Sequence, residues 1–414
     1  MKKFTALLLS MVMVASLAAC GNTASTVEST ETSAAETDTS VETEAAPADI
    51  QVGFIFLHDE NSTYDLNFIN AANEACAKYG ITPIMKTNIP EGQECYEAAA
   101  ELADAGCDIV FADSFGHEDY MIEAAKEYPD VQFAHATGTK AHTEGLPNYH
   151  NAFASIYDGR YRAGIAAGMK LQEMINDGTI TPEQAKIGYI GAYTYAEVMS
   201  GYTSFFLGVR SIVPTATMEV TFTGSWYDET AEKEGAQKLI DNGCVLISQH
   251  ADSMGAPTAC ETAGVPNVSY NGSTASVAPN TFIVSSRITW VPYMTLLIDS
   301  VLNGKEIPAD FTGTIADGSV ELTALGDAAA EGTQEAIDAA KAEIVAGNLH
   351  VFDTTTFTVG GETLTSFLAD VDSDANYEHE TEVIENGYIA ESKFRSAPYF
   401  DLEIDGITLL DRVY

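Results

Sequence analysis

One segment of the chain occurs twice in recognisable form. The stretch from Leu102 to Gly116 reads Leu-Ala-Asp-Ala-Gly-Cys, then an apolar run, then Ala-Asp-Ser-Phe-Gly. The stretch from Leu239 to Gly255 reads Leu-Ile-Asp-Asn-Gly-Cys, then a predicted strand that begins Val-Leu-Ile and is two residues longer, then Ala-Asp-Ser-Met-Gly. Each copy has the pattern of a helix end, a glycine turn, a buried strand and the start of another helix. Unless the likeness is a coincidence of short motifs, the chain contains two similar α/β units.

The residues around both copies follow the same pattern. Short apolar runs, such as Val52 to Leu57 and Ile187 to Ile190, alternate with stretches of helical spacing, such as Asp65 to Tyr79 and Ala196 to Val213. Continuous apolar strands separated by helices are typical of parallel sheets covered on both faces. The sequence therefore predicts an α/β fold of two doubly wound lobes.

The amino-terminal region has the pattern of an export signal. Lys2 and Lys3 precede an apolar run too short to span a bilayer as a mature helix, and Leu17-Ala-Ala-Cys20 looks like a lipobox. Cleavage before Cys20 would leave a lipidated cysteine; the alternative is a plain secretory signal that contains a cysteine. Residues 21–49 are rich in Thr, Ser, Ala and Glu, so we expect a disordered tether.

Composition excludes several functions. The chain has 61 acidic and 19 basic side chains and a formal charge of −42, which argues against nucleic-acid binding. The eight histidines are scattered and no Cys-x-x-Cys pair occurs, so we predict no metal site. No G-x-G-x-x-G or Walker pattern is present, and no cofactor is predicted. We interpret the five cysteines after Cys20 as core residues.

The repeated Ala-Asp-Ser motif predicts the position of a site. Ligands of open α/β sheets bind beyond the carboxyl ends of the strands, where both motifs fall. Asp113 and Asp252 are then candidates to accept hydrogen bonds from a ligand, although both aspartates and the neighbouring serines are also natural helix caps. A hydrolase that uses Ser114 or Ser253 is a weaker alternative, because neither motif has the first glycine of a nucleophile elbow.

Aromatic and polar residues follow other predicted strands. Such a mixture suits a flat polar ring, whose faces stack on aromatic side chains and whose edges form hydrogen bonds. The residues are Tyr64, Asp65, Asn67 and Phe68 in the first unit, and Tyr193, Tyr195, Tyr202, Trp226 and Asp228 in the second. Basic side chains at predicted strand ends are almost limited to Lys86 and Arg287, which disfavours a doubly anionic ligand.

Three segments resemble the basic membrane protein family of substrate-binding lipoproteins of ABC importers. Asp65-Leu-Asn-Phe-Ile69 is similar to the family's opening Asp-Lys-Ser-Phe-Asn, and Gly224-Ser-Trp-Tyr-Asp228 is similar to its Gly-Phe/Trp-Asp motif. The stretch from Gly191 to Pro214 matches its segment of glycine, aromatic turn and helix. The resemblance implies the periplasmic-binding-protein type I fold, in which two Rossmann-like lobes close on a ligand.

The resemblance also implies a ligand, since characterised members largely bind purine nucleosides. Phe68 would stack on the base, Tyr195 or Tyr202 would cover its other face, and Asp65 and Asn67 would reach its polar edges. Asp252 and Asn271 would hold the ribose hydroxyls. The family's lysine falls near Arg287 or Thr289, where this chain has no lysine.

Taken together, the sequence predicts a non-enzymatic solute receptor on the outer face of the cell membrane. It would be anchored by lipid on Cys20 and would deliver a small neutral ligand to an ABC permease and ATPase; a sensor for a membrane receptor is the alternative. The predicted parts are a signal peptide (1–19), a tether (20–49), a first lobe (50–157 and 288–325), a hinge helix with the second lobe (158–287) and an unplaced extension (326–414).

Overall fold

The computed structural model describes residues 50–371 and 378–414, which belong to one compact unit. The predicted signal peptide, Cys20 and the tether lie outside the described residues. The principal strands are β1 Val52–Ile55, β2 Ile84–Lys86, β3 Ile109–Ala112, β4 Gln132–Ala136, β5 Tyr149–Ala154, β6 Lys186–Gly191, β7 Thr217–Phe222, β8 Leu246–His250, β9 Asn267–Tyr270, β10 Phe282–Ile288, β11 Asp310–Gly313 and β12 Val320–Leu322. Short strands follow at β13 Leu368–Ala369, β14 Thr381–Glu382, β15 Ile384–Glu385, β16 Tyr388–Ile389 and β17 Ile407–Leu409.

Ten α-helices occur in the described residues. They are α1 Thr63–Ala77, α2 Gln93–Asp104, α3 Glu118–Glu127, α4 Ala141–Glu144, α5 Ile156–Asn176, α6 Ala196–Ile212, α7 Glu229–Asp241, α8 Gly255–Ala263, α9 Val291–Asn303 and α10 Thr333–Val345. Capping residues fix where several of them begin. The Ser62 hydroxyl accepts from the Asp65 amide at the start of α1, and the Asp228 carboxylate accepts from the Ala231 amide at the start of α7.

Strands β1–β12 and β17 form two large sheets with the same internal order, while β13 pairs with β14 and β15 pairs with β16 in two-stranded sheets. The first sheet runs β11-β5-β4-β3-β1-β2 and is parallel throughout. The second runs β12-β10-β9-β8-β6-β7-β17 and is parallel except for β12 against β10. The first five strands of each lobe therefore take corresponding places, which confirms the predicted α/β fold of two similar lobes.

Each sheet has an apolar core on both faces. In β1, Phe54 packs with α1 and α9, whereas its neighbour Ile55 packs with α2 and α3 on the opposite face. The second sheet is covered by α5 and α6 on one face and by α7 and α8 on the other. Burial on both faces explains why these strands are continuous apolar runs in the sequence. All five cysteines of the described residues are buried and free of disulfides.

Helix α5 leads the chain from the first sheet to the second and packs tightly against α6. A Cβ atom on Gly164 would lie 2.0 Å from the Phe205 carbonyl oxygen, and one on Gly208 would lie 2.0 Å from that of Tyr161. Only residues without a side chain permit so close a crossing. The glycines of these two helices therefore allow the two backbones to approach closely.

The chain crosses between the sheets again after β10 and after β11. Helix α9 returns to the first core, β11 joins the edge of the first sheet, and β12 joins the edge of the second. Beyond these, α10 and the apolar residues of the remaining chain pack in the core of the second lobe. Phe352 and Phe400 stack there with ring centroids 4.4 Å apart. Near its end the chain adds β17 as a parallel neighbour of β7.

Candidate functional site

The repeated aspartates lie where the two sheets end. Asp113 directly follows β3, is fully buried, and accepts a hydrogen bond from the Leu57 amide at 3.1 Å. Asp252 follows β8 by one residue and is also buried. Its carboxylate accepts from the Asn271 side-chain amide at 3.2 Å. Both acids therefore stand at the carboxyl edges of parallel strands, the usual place for ligand-binding groups in this type of sheet.

A second pair of equivalent positions has unusual backbone geometry. Thr137 directly follows β4 and has a φ of 66°, while Asn271 directly follows β9 and has a φ of 64°. Left-handed geometry is tolerated by asparagine but is costly for a β-branched residue such as threonine. Strain of this kind tends to be retained at functional sites, and here it occurs at the mouth of the cleft.

The two lobes meet across this cleft. The amide and hydroxyl of Thr63, in the first turn of α1, both donate to the backbone oxygen of Asp252, at 3.0 and 3.1 Å. The rings of Phe115 and Tyr195, from opposite lobes, have centroids 5.4 Å apart. His58 approaches Tyr227 in the same way, at 5.5 Å. The facing surfaces are therefore held together by backbone, hydroxyl and aromatic contacts.

Two adjoining cavities lie between the lobes. The inner chamber, of about 20 Å³, is lined by Leu57, His58, Tyr64, Asp65, Ser114, Phe115, Thr137, Glu197, Trp226, His250, Asp252 and Tyr270. The outer chamber, of about 590 Å³, is lined by Phe115, Gly116, Glu118, Asp119, Thr137, Thr139, Lys140, Thr194, Tyr195, Ala196, Glu197, Met199, Asp370, Arg395, Ala397, Pro398, Asp401, Glu403 and Tyr414. Three residues, Phe115, Thr137 and Glu197, line both.

Three aspartates around the inner chamber interact electrostatically. Burial, together with the negative charge of Asp65, raises the pKa of both Asp113 and Asp252 well above the usual range. Burial acts on Asp65 too, but hydrogen bonds from His58 and Ser62 outweigh it and lower the pKa of that carboxyl. The cluster thus favours an ionised Asp65 beside two carboxyls that retain protons, which offers both acceptors and donors.

The far side of the inner chamber is built from the second lobe. His250 lies 3.5 Å from the Glu197 carboxylate, and its ring is 4.5 Å from that of Tyr270. Burial lowers the pKa of His250, which favours the neutral imidazole. Beneath them the buried Arg160 guanidinium lies 5.3 Å from the Tyr270 ring centre and donates to the Tyr189 hydroxyl at 2.8 Å. This packing holds Tyr270 in place at the chamber wall.

The structure brings part of the predicted site together. Asp65, Trp226 and Asp252 line the inner chamber, and Tyr195 lines the outer one. Asp113 and Asn271 lie next to the residues that line the inner chamber, and the Asn271 side-chain amide donates a hydrogen bond to Asp252. Asn67 donates to the Ile288 carbonyl at 2.5 Å, and Arg287 forms an ion pair with Glu321 at 2.9 Å. Neither of these last two lines a chamber.

Two aromatic residues that were predicted to stack on a ligand lie instead in the cores. Phe68 is fully buried in the first lobe, stacked on Trp290 with centroids 4.4 Å apart. Tyr202 is fully buried in the second lobe, edge-on to Tyr189 at 5.8 Å. Both lie more than one turn beyond the start of their helices, on the face that packs against the sheet. The structure does not bring either ring to the cleft.

The serines of the repeated motif have structural partners. The Ser114 hydroxyl donates to the Glu91 carboxylate at 2.6 Å, and the Ser253 hydroxyl accepts from the Gly255 amide at 3.1 Å. Neither bond involves a histidine that would activate the oxygen as a nucleophile. Within the described ranges, no group of three or more His, Cys, Asp or Glu side chains is placed to hold a metal ion.

Sequence reasoning did not select several residues of the chambers. These are His58, Thr137, Glu197, His250 and Tyr270, together with Phe115 inside the repeated motif. Tyr64 was noted only as part of an aromatic group; its hydroxyl donates to the Asp113 carbonyl at 2.7 Å. Most of these residues share one signal, because they lie at a strand end or in the first helical turn that follows it.

The two-lobed fold with a cleft is one that solved solute-binding proteins share. Solved solute-binding proteins of ABC transporters have the same fold: one from Conexibacter woesei has a TM-score of 0.59 at 20% identity and covers 73% of this chain and 98% of its own. Another from Aeropyrum pernix K1 has a TM-score of 0.61 at 14% identity and covers 76% of this chain and 94% of its own.

Sequence comparison gives the family. Residues 56–355 match the family model Bmp, described as ABC transporter substrate-binding protein PnrA-like. The chain therefore belongs to the Bmp family of ABC transporter substrate-binding proteins, which confirms the predicted resemblance. A purine-binding protein of Brucella abortus is 31% identical over 62% of this chain and 69% of its own length. A Haloferax volcanii protein named as a glucose-binding protein of an ABC transporter is 30% identical over 61% of each chain.

Proposed function

We propose that this substrate-binding protein captures a purine nucleoside between its lobes at the outer face of the membrane and delivers it to the permease of an ABC importer. The ring would lie between Phe115 and Tyr195, and the ribose hydroxyls would bind to the carboxylates of the inner chamber. Asp65 is the proposed ionised acceptor and Asp252 the neutral carboxyl group beside it, with Asn271 and Asp113 behind them.

The meeting of Phe115 and Tyr195 across the cleft carries this proposal. The two rings come from opposite lobes, are tilted by 33° and have centroids 5.4 Å apart. A modest separation of the lobes would admit a flat ring between them, and stacking on both faces is a favourable way to bind a base. Phe115 is 39% exposed, so its face is available to a ligand without disturbing the core.

The polar groups beyond the ring pair suit hydroxyl donors. Asp65, Glu197 and Asp252 line the inner chamber, and the described lining of that chamber contains no lysine or arginine. Carboxylates accept hydrogen bonds from neighbouring sugar hydroxyls. The names of the two relatives agree with this composition, since one is called purine-binding and the other glucose-binding. A nucleoside combines a flat base with a sugar and would use both parts of the site.

Calorimetry with the purified full chain tests the ligand. We expect adenosine, guanosine or inosine to bind with a Kd of about 1 μM or tighter, and glucose to bind more weakly because it has no flat aromatic ring to stack between Phe115 and Tyr195. If glucose bound and no purine nucleoside did, the ligand would be a sugar and the proposed nucleoside would be wrong. Absence of binding to both classes would remove the proposal.

The membrane anchor is a separate part of the proposal. Among the described residues no helix combines the length and apolarity needed to cross a bilayer. We propose that acyl chains on Cys20 hold the protein at the membrane, as the Leu17-Ala-Ala-Cys20 sequence predicts. Mass spectrometry of protein extracted from membranes should show a chain that begins at Cys20 and carries diacylglycerol. An unmodified Cys20 in that fraction would contradict the anchor.

A further inference from the structure

The outer chamber has a wall that the family match does not include. The family model ends at residue 355, whereas Asp370, Arg395, Asp401 and Glu403 all line the chamber. These residues belong to the carboxy-terminal extension, defined here as residues 356–414. The chamber is thus formed by three parts of the molecule: the first lobe, the second lobe and the extension.

The extension is fixed to both lobes. Its Ser396 amide donates to the Asp310 carboxylate at 2.7 Å, and Asp310 belongs to strand β11 of the first sheet. Phe400 stacks in the core of the second lobe, and its amide donates to the buried Glu391 carboxylate at 3.3 Å. A wall tied down by buried contacts can present side chains in fixed positions.

The lining of the outer chamber has an excess of negative charge. Two of its side chains are cationic, Lys140 and Arg395, and both have contacts: Lys140 with Asp119, and Arg395 with the carbonyls of Ala397 and Pro398. Six of its side chains are carboxylates, namely Glu118, Asp119, Glu197, Asp370, Asp401 and Glu403.

Two groups outside the lining pair with its carboxylates: Arg412 with Glu403 at 2.7 Å, and His379 with Asp401 at 2.9 Å. Counting Arg412, six carboxylates face three lysine or arginine side chains. Because the cavity is partly enclosed by protein, this imbalance is screened less than on an open surface.

An unpaired polar atom lies where the two chambers meet. Thr137 lines both chambers and is only 3% exposed, and its hydroxyl oxygen has no hydrogen-bond partner within residues 50–371 and 378–414. A buried hydroxyl without a partner is costly, and such groups in native structures call for an explanation. A ligand that extends from the inner to the outer chamber would pass this hydroxyl and supply the missing partner.

We propose that the outer chamber is a subsite for a protonated amine carried by the ligand whose ring lies between Phe115 and Tyr195. The inference rests on the proposed function, because the ring positions the amine. The carboxylates of Asp401 and its neighbours attract the cation, and Thr137 accepts a hydrogen bond at the junction. By the same chemistry the subsite excludes anions, so a phosphorylated nucleoside is a poor ligand.

Calorimetry of the full chain with a charge series tests the subsite. The probes are adenosine, 5′-amino-5′-deoxyadenosine and adenosine 5′-monophosphate, which differ in charge at one position. We expect the amine to bind about 10-fold tighter than adenosine at low salt and the monophosphate to bind more weakly than either. Raising the ionic strength should narrow these differences. Equal binding of adenosine and its amino analogue would overturn the subsite and leave the proposed function standing.

Two variants with the same change of charge test whether the preference for the amine arises in the outer chamber or from the overall charge of the protein. Asp401→Asn should reduce the ratio of the affinity for the amine to the affinity for adenosine. Glu335→Gln, on α10 outside the lining of both chambers, should leave that ratio unchanged. If Glu335→Gln reduced the preference as much as Asp401→Asn, the overall charge of the protein would explain it and the subsite would be overturned.

Spermidine, an amine without a nucleoside, separates the two proposals. Spermidine binding that is lost in Asp401→Asn, combined with no binding of any nucleoside, would support the subsite and remove the proposed function. If none of the probes bound, both the proposed function and the amine subsite would be wrong.

Discussion

Two phenylalanines of the first lobe show how position within an element decides the role of a residue. Phe68 lies in the second turn of α1 and is fully buried among aromatic rings of the core. Phe115 lies three residues after the end of β3, is 39% exposed and lines both chambers. A phenylalanine therefore stabilises the core at position 68, whereas at position 115 it is available to a ligand.

We expect substitution by alanine to affect stability at Phe68 and nucleoside affinity at Phe115. Phe68→Ala should lower the free energy of unfolding by about 3–5 kcal/mol, because it leaves a cavity in the core. Phe115→Ala should change stability by less than about 1 kcal/mol and weaken nucleoside binding by about 1–3 kcal/mol, through lost stacking. Urea unfolding and calorimetry on both variants check this. Unchanged affinity in Phe115→Ala would take that ring out of the site.

At the residue scale, the sequence located the site better than it identified the residues. It placed Asp113 and Asp252 at strand ends because each follows a short segment that contains three consecutive apolar residues, 109–111 and 245–247. It selected Phe68 for the ligand instead of Tyr64, although the two are four residues apart and share a face of α1. Only the first turn of that helix reaches the cleft, since the helix axis leads away from the strand ends. Glu197 and Tyr202 on α6 differ for the same reason.

At the scale of elements, the closest contact between helices is the crossing of α5 and α6. Gly208→Ala would place a Cβ atom 2.0 Å from the Tyr161 carbonyl oxygen, so the two helices would have to move apart. We expect a loss of about 3 kcal/mol in the free energy of unfolding, near the upper end for overpacking.

A glycine in α7 provides the matched control. A Cβ atom on Gly235 would lie 3.5 Å from Thr221, an ordinary contact distance. Gly235→Ala should therefore stabilise the protein by about 0.5–1 kcal/mol through higher helix propensity. Urea unfolding monitored by circular dichroism measures both variants. Equal stability of the Gly208 and Gly235 variants would show that the crossing tolerates the extra methyl group.

Elements with a local signal were predictable, and those that depend on distant partners were not. Strand β1 and helix α1 follow from an apolar run and a helical spacing within a single stretch of chain. The edge strand β17 has only three residues, Ile407–Leu409, and it exists because β7 offers an unpaired edge. Nothing in those three residues specifies β7 as the partner, so their place in the second sheet could not be predicted.

At the scale of the whole molecule, the chain passes between the lobes more than once. The carboxy-terminal extension adds a noncovalent contact between them. The crossings after β5, β10 and β11 lie in the covalent chain, whereas the extension contacts β11 through the Ser396–Asp310 hydrogen bond. Movement of the lobes about the crossings would have to stretch or break the noncovalent ties. Opening would therefore be opposed by the aromatic contacts across the cleft and by the hydrogen bonds between the lobes, each of which is worth about 1 kcal/mol.

The bonds from Thr63 to the Asp252 backbone oxygen allow a direct test of closure. Thr63 is the first residue of α1, and Ser62 before it is extended, with a ψ of 130°. Proline is well tolerated at the first position of a helix and after an extended residue, so Thr63→Pro removes both donors and leaves the helix intact. Thr63→Val, the matched control, loses the hydroxyl but keeps the amide.

Loss of both bonds should make the closed form less favourable by about 1–2 kcal/mol. We expect Thr63→Pro to show a larger radius of gyration than the wild type in X-ray scattering without ligand, and a Kd for the nucleoside raised about 5- to 30-fold. Thr63→Val should fall between the two proteins, and saturating ligand should bring all three to one radius. If Thr63→Pro scattered and bound like the wild type, closure would have to depend on the aromatic contacts of Phe115 and His58 instead.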